Sequence, residues 1–137
     1  MSIEENKALV RRLNEIENKG DLDELFRLFS SDYVSHYNTG DSTMEENKKF
    51  WPTLWTAFPD IHYVLEDIVG EGNKVAFRES FTGTHRGEFK GIAPTGKKVK
   101  MINTCIVRIE NGKFSEGWCT LDEWNLMRQL GVVPEKG

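Results

Sequence analysis

Residues 97–122 read KKVKMINTCIVRIENGKFSEGWCTLD, and the dipeptide in the middle of the stretch decides how it folds. Asn111 and Gly112 both tolerate the positive φ of a two-residue hairpin turn, and β-branched and aromatic residues alternate with polar ones on either side. Two long antiparallel strands are expected, near 97–109 and 113–122. With Glu110 opposite Lys113, antiparallel counting puts Cys105 opposite Trp118, Asn103 opposite Thr120 and Met101 opposite Asp122. One face then carries Met101, Asn103, Cys105, Val107, Trp118, Thr120 and Asp122. The other carries Ile102, Thr104, Ile106, Arg108, Ser115, Cys119 and Leu121. The cysteines point apart in this register, so no disulfide is expected. Both faces are partly apolar, which suits a sheet covered on one side by its own helices and on the other by a second subunit.

The same texture starts at Asp60, with strands expected near 61–69 and 74–84 joined by Gly70-Glu71-Gly72-Asn73. That loop leaves the register of the first pair open, and with it the facing of Glu79. A long connection containing Pro94-Thr95-Gly96 leads on to the hairpin. The first part of the chain is helical. Ser2 and Glu5 form a capping box for a helix over about 3–19, with Leu9, Leu13 and Ile16 on its apolar side and Gly20 at its end. Asp21 and Glu24 open a second, short helix with Leu22, Leu25, Phe26 and Phe29 at helical spacing. Thr43 and Glu46 begin a third, where Trp51, Trp55 and Phe58 share a stripe and Pro52 is expected to kink or restart the helix near residue 50. A last helix over about 123–130 stops at Gly131. Helices first and a strongly bent antiparallel sheet second is an α+β layout.

With 137 residues, 38% of them hydrophobic and including four Trp and eight Phe, the chain suits one domain, 1–137, with a core and room for a cavity. Eighteen basic against twenty-two acidic residues give a net charge of −4 without long basic runs, which argues against nucleic acid as a partner. No apolar run approaches the roughly 20 residues that cross a bilayer, and the acidic start is unlike a signal peptide, so a soluble cytoplasmic protein without membrane contact is expected. His36, His62 and His85 lack metal-ligand spacing, and no nucleophile elbow, phosphate loop or informative Cys–His pair occurs, so no metal site is expected and the common nucleophilic and nucleotide-binding classes fall away.

Asp122 shares its expected face with an amide, a hydroxyl, Trp118, Met101 and Val107. A carboxylate among apolar neighbours has its charged form disfavoured and becomes a usable proton carrier near neutrality. Asp122 also precedes the last helix with Asn125 three positions on, the place of an N-cap. Both roles stand on the sequence.

The segments Phe58-Pro59-Asp60, Thr82-Gly83-Thr84-His85, Gly87-Glu88-Phe89, Gly91-Ile92-Ala93-Pro94-Thr95-Gly96, Trp118 with Asp122 four residues on, and Gln129-Leu130-Gly131 resemble, in that order, the SnoaL-like polyketide cyclase family. The resemblance runs from the first helix, with Asn18-Lys19-Gly20-Asp21, through Tyr33 and His36 to the last helix. It implies the cone-shaped α+β fold of the nuclear transport factor two and ketosteroid isomerase superfamily, with helices packed on a curved sheet around an apolar cavity and dimerisation through the outer sheet face. It also implies a cofactor-independent intramolecular aldol closure of a polyketide ester, with Asp122 as general acid/base. His85 and His36 would line the cavity and Asn103 would contact substrate. A base must take a proton from a carbon flanked by carbonyls, and donors must hold the charge that develops on oxygen. Asp122 suits the first task, His85 and Asn103 the second, while Trp118, Phe81, Trp51 and Trp55 would exclude water around a small hydrophobic ligand. The alternatives are a non-catalytic binding domain for a hydrophobic metabolite, and an isomerase or epoxide hydrolase on the same fold.

Overall fold

The computed structural model describes residues 2–133. Helix α1 (Ile3–Lys19) starts at the Ser2/Glu5 capping box and ends on Gly20, whose φ of 79° only glycine adopts freely. Helix α2 (Leu22–Phe26) is shorter than the spacing of Phe29 suggests. Phe29 instead opens strand β1 (Phe29–Tyr37), which turns back into β2 (Gly40–Thr43). Those two strands lie within the part of the chain that reads as helical from sequence. Helix α3 (Met44–Ala57) runs unbroken through Pro52, so of the kink or restart expected near residue 50 the restart does not occur. Trp51, Leu54, Trp55 and Ala57 pack on either side of the proline and hold the helix where one backbone donor is missing.

Strands β3 (His62–Glu71), β4 (Lys74–Thr84), β5 (Lys98–Glu110) and β6 (Lys113–Leu121) follow, and α4 (Glu123–Leu130) ends the described fold. All six strands form one curved, unclosed sheet in the order β2-β1-β6-β5-β4-β3, antiparallel except where β1 runs parallel to β6. Helices α1, α3 and α4 cover its concave side, so the α+β expectation holds. Asn18 braces the edge strand, donating from Nδ2 to the Tyr63 carbonyl at 2.8 Å and accepting the Tyr63 N–H at 2.7 Å.

The hairpin turn forms as expected, with Asn111 at φ 52° and Gly112 at φ 73°. Glu110 pairs with Lys113 and Ile109 with Phe114, but Arg108 then pairs with Glu116. Ser115 is a bulge, held by its hydroxyl donating to the Arg108 carbonyl at 3.2 Å. That one extra residue reverses the facing of the rest of β6. Cys105 now opposes Cys119 at a Cα separation of 4.2 Å, and the two are joined as a disulfide. The sequence expectation of separated cysteines is thereby corrected. Ile106 pairs with Trp118, so Trp118 and Thr120 face outward, while Gly117, Cys119 and Leu121 face the concave side.

The motifs that carry the family resemblance are mostly joints. Asp60 accepts the Thr84 N–H and hydroxyl, each at 2.7 Å. A side chain at Gly83 would strike Phe58, and one at Gly87 would strike the Thr56 carbonyl at the end of α3. The Arg86 and Gly87 N–H groups both donate to the Ala57 carbonyl. Gln129 hydrogen-bonds both the N–H and the carbonyl of Lys100, tying α4 to β5. Together these contacts lock the ends of α3 and α4 onto the sheet and set the width of the space between them.

Candidate active site

That space is a chamber of about 80 Å³ between α1, α3 and the concave side of the sheet. Alternation along β4 and β5 points Phe77, Glu79 and Phe81 into it beside Cys105, Asn103 and Met101, their direct cross-strand partners. Helix α3 contributes Asn47, Phe50, Trp51 and Leu54, β1 contributes Phe29, Tyr33 and Tyr37, and α1 contributes Leu13 and Glu17. Gly117 makes room for Tyr33, since a Cβ there would run into the phenol oxygen. The Cys105–Cys119 pair forms part of the wall.

The polar groups concentrate around Glu17 and Glu79, each 4% exposed and both lining the chamber. Asn14 Nδ2 donates to Glu79 Oε2 at 2.9 Å. Burial, and then the neighbouring charge of Glu79, push the Glu17 carboxyl well above the usual carboxylate range. Burial also raises Glu79, opposed by the hydrogen bonds from Glu17 and Asn14. Trp55 Nε1 donates to the Tyr63 hydroxyl at 3.3 Å, and burial keeps that phenol protonated far into the alkaline range.

Of the residues expected from sequence, Asn103, Trp51 and Phe81 line the chamber, and Trp55 packs behind it against Tyr63. The other four do not. Asp122 is exposed and caps α4, accepting the Asn125 N–H at 3.2 Å, so the N-cap reading is the one the structure shows. The Ser115 bulge is the reason, because it turns the chain end of β6 outward. Trp118 follows it to the convex face, where it stacks on His36 at 5.6 Å between ring centroids. His36 lies between Asp41 and Glu116, at 2.8 and 2.6 Å. These bonds, Asp41 first, raise the pKa of its imidazole. His85 is fully buried, but as a loop anchor. Its Nδ1 accepts the Thr95 N–H at 3.1 Å, its backbone pairs with Gly96 and Lys97, and its ring lies against Phe58.

Sequence reasoning missed Glu17, Tyr33 and Tyr63. The signal for Glu17 was present, since it falls at i+7 from Val10 and i+4 from Leu13, a charge set within an apolar stripe.

The sequence profile described as SnoaL-like polyketide cyclase matches residues 7–130. AclR of Streptomyces galilaeus, a candidate hydroxylase, is 31% identical and superposes with a TM-score of 0.91 over 97% of this chain and 89% of its own. IdmH of Streptomyces antibioticus, a candidate polyketide cyclase, is also 31% identical, with a TM-score of 0.81 over 93% of this chain and 99% of its own. TsrD of Streptomyces laurentii is 25% identical, with a TM-score of 0.85 over 97% and 99% of the two chains. No curated protein matches the chain. The profile match over nearly the whole chain and the two close structural relatives establish that the chain belongs to the SnoaL-like polyketide cyclase family.

Proposed function

We propose that the chamber binds a small, uncharged, carbonyl-bearing ligand of polyketide type and rearranges its carbon skeleton by proton transfer. The observation that carries this reading is the composition of the wall. Aromatic and aliphatic side chains supply most of it, its titratable groups include two carboxyls, and no Lys, Arg or His lines it among the described residues. A carboxylate ligand would be desolvated beside Glu79 with no cation to compensate, whereas an ester meets no such cost. The cyclase and hydroxylase names of the related structures fit a ligand of this kind. The family also suggests how the convex face is used. Val64, Val69 and Ile106 are exposed there, and a second copy of the chain would cover them.

Trp51 in the wall provides the test. Titration with methyl acetoacetate, a β-keto methyl ester small enough for the chamber, is expected to quench tryptophan fluorescence saturably, and the corresponding free acid to bind at least tenfold more weakly. Equal binding of ester and acid, or no binding of the ester, would refute the reading.

A further inference from the structure

Glu17 and Glu79 come from α1 and β4, 62 positions apart (79 − 17), and meet inside the chamber with almost no access to solvent. Two carboxyls buried in one small chamber that no cation lines cannot both ionise at modest cost, so the pair holds one proton and one negative charge. Asn14 fixes which is which. Its amide donates to Glu79, which marks Glu79 as the carboxylate and Glu17 as the acid. Glu17 Oε1 is buried and has no hydrogen-bond partner among the described residues. For stability alone, an apolar pair of similar size would serve as well or better. An arrangement of this kind, placed in a cavity, is what proton transfer requires.

We propose that Glu17 and Glu79 act together as the proton-transfer group of the chamber, on a neutral compound with an enolisable carbon next to a carbonyl. This rests on the chamber being the ligand site, as argued above. The Glu79 carboxylate takes the proton from that carbon, and the C–H electron pair moves into the enolate. The Glu17 O–H and the Tyr63 O–H, which is free to donate because the Tyr63 oxygen already accepts from Trp55, stand near to hold the oxygen charge. In a ring closure the enolate carbon forms the new C–C bond, the π pair of the second carbonyl moves to its oxygen, and that alkoxide takes one proton from the pair. The pair ends with one proton, as it began, and no oxidant or co-reactant enters. Asn103, directly across from Glu79 in the β4–β5 register, faces the same reacting region.

The test follows exchange of the α-proton of the same β-keto methyl ester for deuterium in D2O by NMR. The wild-type protein is expected to accelerate it, Glu79→Gln to lose at least 100-fold of that acceleration, Glu79→Asp to recover part of it, and Asp122→Asn to stay within twofold of wild type. Unchanged exchange in Glu79→Gln overturns the assignment, as does loss in Asp122→Asn. If the ester binds and exchanges regardless of Glu79, the ligand site stands and only the proton-transfer group falls. A ligand-free measurement decides the pair independently. In 13C NMR of glutamate-labelled protein, one carboxyl of the pair is expected to stay protonated well above the ordinary carboxylate range, and titration of both in that range of about 4 to 5 overturns the proposal.

Discussion

Glu17 is a buried acid, and its ionisation is linked to folding. The folded state holds the Glu17 proton more tightly than the unfolded chain does, because burial and then the charge of Glu79 raise its pKa. Its contribution to stability is therefore complete below the ordinary carboxylate value of 4.5, and is lost as pH rises through the raised value. Glu17→Gln keeps the shape and cannot ionise. Its stability should vary less with pH, and urea unfolding at pH 8 should show it gaining on the order of 1 kcal/mol relative to its difference from wild type at pH 5. A wild-type profile equally flat over that range would contradict the buried-acid description. Glu17 was legible as a charge on an apolar helical stripe. Glu79 was not, because its facing depends on the β3–β4 register. That register shifts at Glu66, an extra residue that Ser80 ties down through a 2.8 Å hydrogen bond. No local propensity announces a bulge that long-range pairing creates.

The elements were read well where capping and turn chemistry govern them. Ser2, Thr43 and Asp122 all cap helices, and Asn111-Gly112 turns the last hairpin. The errors lie where one residue changes the phase of a strand. Ser115 sends Trp118 and Asp122 away from the chamber and brings Cys105 and Cys119 together. Phe29, at helical spacing from Leu22 and Leu25, reads as helix until its partner Phe114 is known. As the N-cap of an eight-residue helix, Asp122 has a specific consequence. Asp122→Ala should cost about 1 kcal/mol by removing the acceptor for the Asn125 N–H, whereas Asp122→Asn, which caps equally well, should be near neutral. Thermal unfolding of the two variants distinguishes a cap from a buried carboxylate, which would not tolerate either change.

At the scale of the whole molecule, the convex face combines exposed Val64, Val69 and Ile106 with a charged cluster around Trp118. Arg108 and Lys74 lie over the Trp118 ring at 5.3 and 5.1 Å, His36 stacks on it, and Glu116 bonds both His36 and Arg108. The pairing of His36, held by Asp41 and Glu116, favours the folded protein below the ordinary imidazole value of 6.5 and is lost as pH rises through its raised pKa. Glu116, lowered by His36 and then by Arg108, favours it above the ordinary carboxylate value of 4.5 and is lost as pH falls through its lowered pKa. The cluster is thus fully formed between those two values. If this face joins two copies, Ile106→Glu should turn a dimer into a monomer in sedimentation at micromolar concentration with the fold intact by circular dichroism. A wild-type monomer at that concentration would remove the face from consideration.

Strand β6 lies between β1 and β5, and its parallel pairing with β1 joins Val34 to Glu116 and Tyr37 to Cys119. The wall that seats Tyr33 over Gly117 thus waits for the last strand of the sheet. During synthesis, α1, α2 and the β1–β2 hairpin emerge early but keep an unpaired strand edge until residue 121 has left the ribosome. Contacts so far apart in sequence make the closing step slow, and the nascent chain is open to association with its neighbours throughout that interval.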